Sequence, residues 1–468
     1  MLNVIWLLLL VAGVVLGATS GHLKEITDEA FNGAKTAVIS LALPLIGITS
    51  FWLGMMRLAE KAGLIASLAR LLRPVMRRLF PDVPPEHPAM GSMLMNFAAN
   101  MLGLNNAATP LGLRAMGDLE KLNRNPGTAT NAMCTFLAIN TSSIQLLPTT
   151  AIGILAAAGS HQPTAIVGTA LLASICTTTV GITAVKLLEK LPWFGLPSGS
   201  PPTTSPNADT SSSATTPQQP NSSPSPAQAP SATSADAKAP TAAASTQPAP
   251  LALASSWRTA RTVGVVLMGA LFLLVNWQLI SAPSAAANSN PVLRIVNALS
   301  LTAIPLCLLF FPVYAWLSRV PVYEEFVEGA KEGFHVAVRI IPFLVAMLVA
   351  VGVFRAAGGV AAISRVLDPV LSWIQFPSEL LPMALMRPLS GSGTIGLFAD
   401  LVKTYGPDHL LSRMGATLLG STETTLYVIA VYFGSVAVRR GRHAIAAGLL
   451  ADLAGMLASA WICRLVFH

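Results

Sequence analysis

Met95-Asn96-Phe97-Ala98-Ala99-Asn100-Met101-Leu102-Gly103-Leu104-Asn105-Asn106-Ala107-Ala108-Thr109-Pro110-Leu111-Gly112 reads at first as a lipid-facing run, yet it carries four amides. Asn96 and Asn100 are four apart and share one face of a helix, while Gly103 and Pro110 offer places for that helix to break. An amide at membrane depth must find a partner, and a broken helix persists there only when buried in protein or lining a cavity. One or two amides serve as interhelical glue, whereas four in one run point to a solute site. Asn96, Asn100, Asn105 and Asn106 are therefore the first candidate ligands.

The rest of the chain makes the membrane setting firm. Of 468 residues, 53% are hydrophobic and only 11% charged, with a mean hydropathy of +0.61; soluble domains carry about 25% charged residues. Apolar runs long enough to cross a bilayer recur at Val4 to Ala18, Thr36 to Met55, Ala129 to Ala158, Ala165 to Val185, Val263 to Ile280, Ala298 to Leu317, Val336 to Phe354, Met414 to Ala437 and Ala444 to Cys463. The formal charge of +8 comes from bases beside these runs rather than from a contiguous stripe, which speaks against nucleic acid and for a bilayer partner. The first apolar run lacks a basic segment before it, so a retained span is expected rather than a cleaved signal. Cys134, Cys176, Cys307 and Cys463 show no CxxC spacing and the histidines are scattered, so neither disulfide, metal site nor cofactor is expected.

Between Ser198 and Pro250 the composition turns to Pro, Ser, Thr, Ala and Gln, the signature of a disordered linker. It divides a membrane module at 1–195 from a second at 256–468, with 196–255 between them. The modules match weakly but in order. Phe31-Asn32-Gly33-Ala34-Lys35 parallels Phe326 to Lys331, Pro44 parallels Pro342, and Gly63 parallels Gly359; Pro74 then pairs with Pro369, and Asn96 with Arg387. Six bases, Arg57, Lys61, Arg70, Arg73, Arg77 and Arg78, follow the first repeat's opening helix, against Arg355 and Arg365 in the second. The positive-inside rule then sets the repeats in opposite orientations, although a parallel duplication stays open. The stretch Arg57 to Leu79 also reads as one amphipathic interfacial helix.

Each module closes with a polar cluster inside an apolar span. Asn140, Ser142 and Gln145 mark the first; Ser421, Glu423 and Thr424 mark the second. The counterpart of the amide run is Arg387-Pro388-Leu389-Ser390-Gly391-Ser392-Gly393-Thr394, where glycines let backbone approach a ligand and Ser390, Ser392 and Thr394 supply hydroxyls. It lacks the phosphate-loop pattern of nucleotide hydrolases, and no nucleophile and base group together, so an enzyme is not expected. Glu423 is read as a functional carboxylate, a proton or Na⁺ coupling group, with Arg387 as its natural partner; such a pair could also be purely structural.

On Met95 to Gly112 the first module resembles spore maturation protein A, and on Arg387 to Gly393 and Gly420 to Thr425 the second resembles spore maturation protein B. The chain looks like a fusion of the two. Both families are grouped with the nucleoside-recognition, or gate, domains of concentrative nucleoside transporters and ferrous-iron transporters. The resemblance implies an all-α polytopic fold with two inverted gate-type repeats containing broken or re-entrant helices, in the bacterial inner membrane. It implies transport of a small polar, nucleoside-like solute. A non-transporting envelope scaffold and divalent-metal transport are the other readings, and self-association into a homo-oligomer stays open.

Overall fold

A computed structural model describes residues 2–142, 144–194, 255–281 and 291–467. The expected linker lies outside the described residues. Among the described residues every element is helical: α1 (Leu2–Ser20), α2 (Leu23–Lys35), α3 (Leu43–Lys61), α4 (Leu64–Leu79), α5 (Pro88–Met101), α6 (Asn105–Glu120), α7 (Asn131–Ser142), α8 (Thr149–Ala157) and α9 (Ile166–Leu188) in the first half. The second half holds α10 (Ser255–Ser281), α11 (Pro291–Leu317), α12 (Val322–Ala356), α13 (Gly359–Trp373), α14 (Leu381–Met386), α15 (Gly391–Tyr405), α16 (Leu410–Ser421), α17 (Thr425–Ser435) and α18 (Ala444–Val466). Six helical stretches are long and apolar enough to span a bilayer, which makes this a polytopic all-α membrane protein.

Local sequence explains the irregularities. Thr36–Ala42 is π-helical just ahead of Pro44, whose ring would clash with the Ser40 carbonyl in a regular turn; widening that turn relieves the clash. Two expectations change. Arg57 to Leu79 is not one interfacial helix, because Gly63 takes φ +80° and ends α3; only α4 lies as the amphipathic element, with Leu71 and Val75 on its exposed apolar side. The runs Ala129 to Ala158 and Met414 to Ala437 are not continuous helices either, since Ser142 and Ser421 each end one. In the amide run the break falls at Gly103, at φ +75°, where a residue with a side chain would be strained. Pro110 does not break α6, which runs through it at the loss of one backbone donor.

The same order of elements recurs: a long helix and a short one joined at a left-handed glycine, a hairpin, an interrupted helix, a final span. Gly358, not Gly359, is the glycine at φ +80° that matches Gly63, and it keeps the same spacing to Pro369 as Gly63 has to Pro74. The two long helices α3 and α12 pack in close contact and antiparallel: Gly333 lies on Ser50, Gly329 on Leu53, and Arg57 Nε donates to Glu325 Oε2 at 2.7 Å. A Cβ at Gly333 would sit 2.5 Å from Ser50 Cα, so backbone touches backbone here, as small residues allow between membrane helices. The final helices α9 and α18 are also antiparallel, with Thr177 on Gly455 and Gly181 on Ala451. The interrupted helices α7 and α16 both pack on this pair, each touching α9 and α18. Each half's interrupted helix is thus held between the final spans of both halves.

Candidate functional site

Because α7 and α16 share the α9–α18 pair, the two helix interruptions meet. The backbone N–H of Glu423 donates to Thr141 O at 2.9 Å, and Ser174 Oγ of α9 donates to Gly420 O at 3.4 Å. The two hairpin turns close on the same region. Leu146 N donates to Met101 O at 3.0 Å beside the first, and Leu426 N donates to Pro388 O at 2.9 Å beside the second. Helices α5 to α8 and α14 to α17 all have an end here, so the region is rich in backbone groups and helix dipoles at the depth of the apolar core.

The predicted residues divide by their contacts. Asn96 is fully buried and donates to Ala108 O at 2.8 Å and to the Tyr432 hydroxyl at 3.4 Å, clamping the first hairpin onto the second half. Asn100 Nδ2 donates to Asn140 Oδ1 at 2.9 Å, and Asn140 Nδ2 donates to Phe136 O at 2.8 Å. Ser142 and Ser421 are buried and bond back into their own helices, Ser421 also meeting Ser459 at 3.2 Å. Thr394 bonds Ser390 O inside α15. Ser390 caps that helix, accepting from Gly393 N at 3.1 Å, and its hydroxyl meets that of Ser392 at 3.4 Å. Asn105 and Asn106 open α6, but their side chains lie outside the described residues.

Glu423 and Arg387 are close, but not as a tight pair. Arg387 is 4% exposed and directs its short hydrogen bonds at backbone: Nη2 donates to Leu419 O at 3.1 Å and to Thr422 O, and Nε donates to Thr422 Oγ1 at 3.0 Å. A guanidinium on the last carbonyls of α16 neutralises the negative end of that helix and satisfies acceptors that the interruption strips of partners. Glu423 Oε2 stands 4.0 Å from Nη2, while Oε1 accepts from Gln145 Nε2 at 3.3 Å, so a side chain from the other half reaches the carboxylate. Thr424 is buried, and its hydroxyl approaches Gly391 at the mouth of the second hairpin.

The half-buried members, Asn100, Gln145, Ser390, Ser392 and Glu423, are the ones with polar atoms to offer a solute: amides, hydroxyls and one carboxylate. A cavity of about 130 Å³ runs from Arg57, Glu60 and Glu332 on α3 and α12 to Gly103 and Leu104 at the first hairpin turn, with Thr149 at the start of α8. Ligand pockets are typically about 300–1,000 Å³, so this passage is too narrow for a metabolite in the conformation seen. Sequence reading missed Asp452, a buried carboxylate on α18 behind the site; its run reads as a plain span. Its signal was a lone acid in an apolar run, the criterion that singled out Glu423.

Residues 42–158 and 337–439, which hold both hairpins and both interruptions, match the family model described as Gate, nucleoside recognition. Spore maturation protein B of Bacillus subtilis (strain 168) is 46% identical over 175 residues, 37% of this chain and 98% of that protein. Spore maturation protein A of the same strain is 47% identical over 175 residues, 37% of this chain and 89% of that protein. No solved structure matches the chain. Two relatives, each covered almost from end to end by a chain more than twice the matched length, account for both halves: the protein belongs to the spore maturation protein family, an A-type and a B-type protein fused in one polypeptide.

Proposed function

We propose that the protein carries a small polar solute across the bacterial cytoplasmic membrane, the two halves at 1–195 and 256–468 acting as an inverted pair about the central site. The observation that carries this reading is the meeting of two interrupted helices and two hairpin turns around Glu423, Gln145 and Asn100 at the depth of the apolar core. Discontinuous helices that end at mid-membrane and leave polar groups facing a site are how secondary transporters build solute sites. Antiparallel α3 against α12, and α9 against α18, support the inversion, because equivalent helices of inverted repeats run in opposite senses. The description of the matching family model supports a nucleoside-like solute. Glu423, accessible on one side and facing an amide on the other, is the group that would couple Na⁺ or H⁺ to solute binding.

A screen of the purified protein for thermal stabilisation by nucleosides, dicarboxylates, amino acids and divalent metals tests the reading, since a ligand of the folded state raises stability by mass action. A nucleoside hit that Asn100→Ala or Glu423→Gln abolishes is expected. Stabilisation by a nucleoside that survives both substitutions would remove the assigned site, and a hit for divalent metal alone would replace the solute class. The names of the two relatives favour the second reading, a scaffold of spore or envelope maturation, for which none of these ligands would bind.

A further inference from the structure

Asp452 lies in mid-α18 and is 1% exposed. Among the described residues no hydrogen bond of ordinary length reaches either carboxylate oxygen, and the buried Thr425 hydroxyl, the one side-chain donor that faces it, has no other partner. Two glycines on the same face of α18, one turn to either side, set the carboxylate in place: Gly448 packs on Thr141 and Thr425, and Gly455 packs on Thr177 and Thr422. A Cβ at Gly448 would stand 2.6 Å from Thr425 Cγ2, so these positions admit no side chain without a shift. Asp452 is thereby pressed against the broken ends of both α7 and α16.

The charges around it do not balance. Arg387 and Glu423 are the ionic groups within electrostatic reach. Of the helices packed on α18, α7 brings Cys134, α9 brings Cys176 and Lys186, α16 brings Arg413, and α17 brings Tyr427 and Tyr432. Lys186 stands by His443 at one end of α18 and Arg413 by Phe467 at the other. One guanidinium, already bonded to the carbonyls of α16, therefore faces two carboxylates and the negative ends of two half-helices. A buried carboxylate that must share its one counter-ion with a second carboxylate and with helix carbonyls is left with a desolvation penalty only partly offset. A small cation removes it. A single carboxylate among hydroxyls is too poor in anionic oxygen for Ca²⁺ or Mg²⁺, which favours a monovalent ion.

We propose that Asp452 is the centre of a monovalent cation site, for a proton or a sodium ion, closed by the Thr425 hydroxyl and the broken ends of α7 and α16. The site rests on the transport reading only for a part in coupling, where its ion would act on solute binding through neighbouring Glu423; its occupancy can be measured without any solute.

Two measurements on the purified full chain separate the ions. Thermal unfolding in NaCl against choline chloride at equal ionic strength reads sodium, and the infrared carbonyl stretch of a protonated carboxyl reads the proton. Either a saturable rise in Tm with Na⁺ or a protonated-carboxyl band is expected in the wild type, lost in Asp452→Asn. If Asp452→Asn does not fold, Thr425→Val carries the test: losing one hydrogen-bonding oxygen should raise half-saturating Na⁺ about tenfold or displace the band. Wild-type and variant proteins alike in both measurements would overturn the site. A positive result here with no solute flux would remove the transport reading and leave the ion site standing.

Discussion

Replacing Arg387 by Met keeps most of the volume and removes the guanidinium from the last turn of α16. Leu419 O and Thr422 O lose charged donors, and Glu423 loses its nearby cation. A hydrogen bond from a charged group contributes about 1.5–3 kcal/mol, and both acceptors are shut away from water. The Glu423 contact adds little, because it is 4.0 Å long and the carboxylate is 27% exposed. The loss should therefore be at least about 3–5 kcal/mol, set by the two carbonyls and by buried Asp452, which loses the cation in its reach. Arg387→Lys, which keeps the charge but not the planar fork, should recover only part of it. Glu423→Gln leaves both carbonyls capped and should change stability by less than about 1 kcal/mol. A thiol-reactive fluorophore suits the assay, since Cys134, Cys307 and Cys463 are buried and become reactive on unfolding. Equal losses in Arg387→Met and Glu423→Gln would refute the capping argument, making the ion pair the stabilising element.

Further outcomes follow from the same geometry. Gly333→Ala drives a methyl into the Ser50 backbone and should destabilise the α3–α12 contact by about 1–3 kcal/mol, whereas Gly47→Ala, which sits inside α3 and meets nothing within 4 Å, should leave stability unchanged or raise it by up to about 1 kcal/mol in the same thermal assay. Burial acts to raise the Asp408 carboxyl, but the Ser160 hydroxyl at 2.6 Å, the His161 N–H at 3.0 Å and Arg413 outweigh it and hold the group below its ordinary value of 3.8. A depressed carboxylate stabilises the fold above its unfolded value, and that contribution is lost as pH falls through the folded one. Asp408→Asn should thus flatten the acid limb of a stability-against-pH curve below about pH 4, and an unchanged limb would contradict the tie. Cysteines at Asp82 and Ser372, at corresponding ends of α4 and α13, should react with an impermeant thiol reagent from opposite faces of the membrane. Labelling of both from one face would mean a parallel duplication.

Hydropathy made the membrane class and both halves legible, because apolar runs of bilayer length and an ordered self-match need no knowledge of packing. It marked the polar clusters at Asn140 to Gln145 and Ser421 to Thr425 but not that the helices stop there: the hydrogen bonds that let the backbone open come from α9, whose Thr178 donates to Ser142 O in its own half and whose Ser174 donates to Gly420 O in the other. The amides read as one group serve different ends, since Asn96 clamps a hairpin while Asn100 faces Asn140. Arg387 and Glu423 were correctly brought together, yet the sequence offered no way to see that carbonyls from α16 would claim the guanidinium. Asp452 escaped notice because hydropathy averages over a window, and one acid among so many alanines and leucines scarcely moves it.

Solute flux into proteoliposomes is the most direct test of the central claim. Wild-type protein should accumulate a labelled nucleoside, or a related small polar solute found in the stabilisation screen, and exchange it against unlabelled solute. Asn100→Ala and Glu423→Gln, reconstituted to the same level and equally folded, should abolish both movements. Flux that is absent from the wild type with a solute that binds, or that persists unchanged in both variants, would contradict the account.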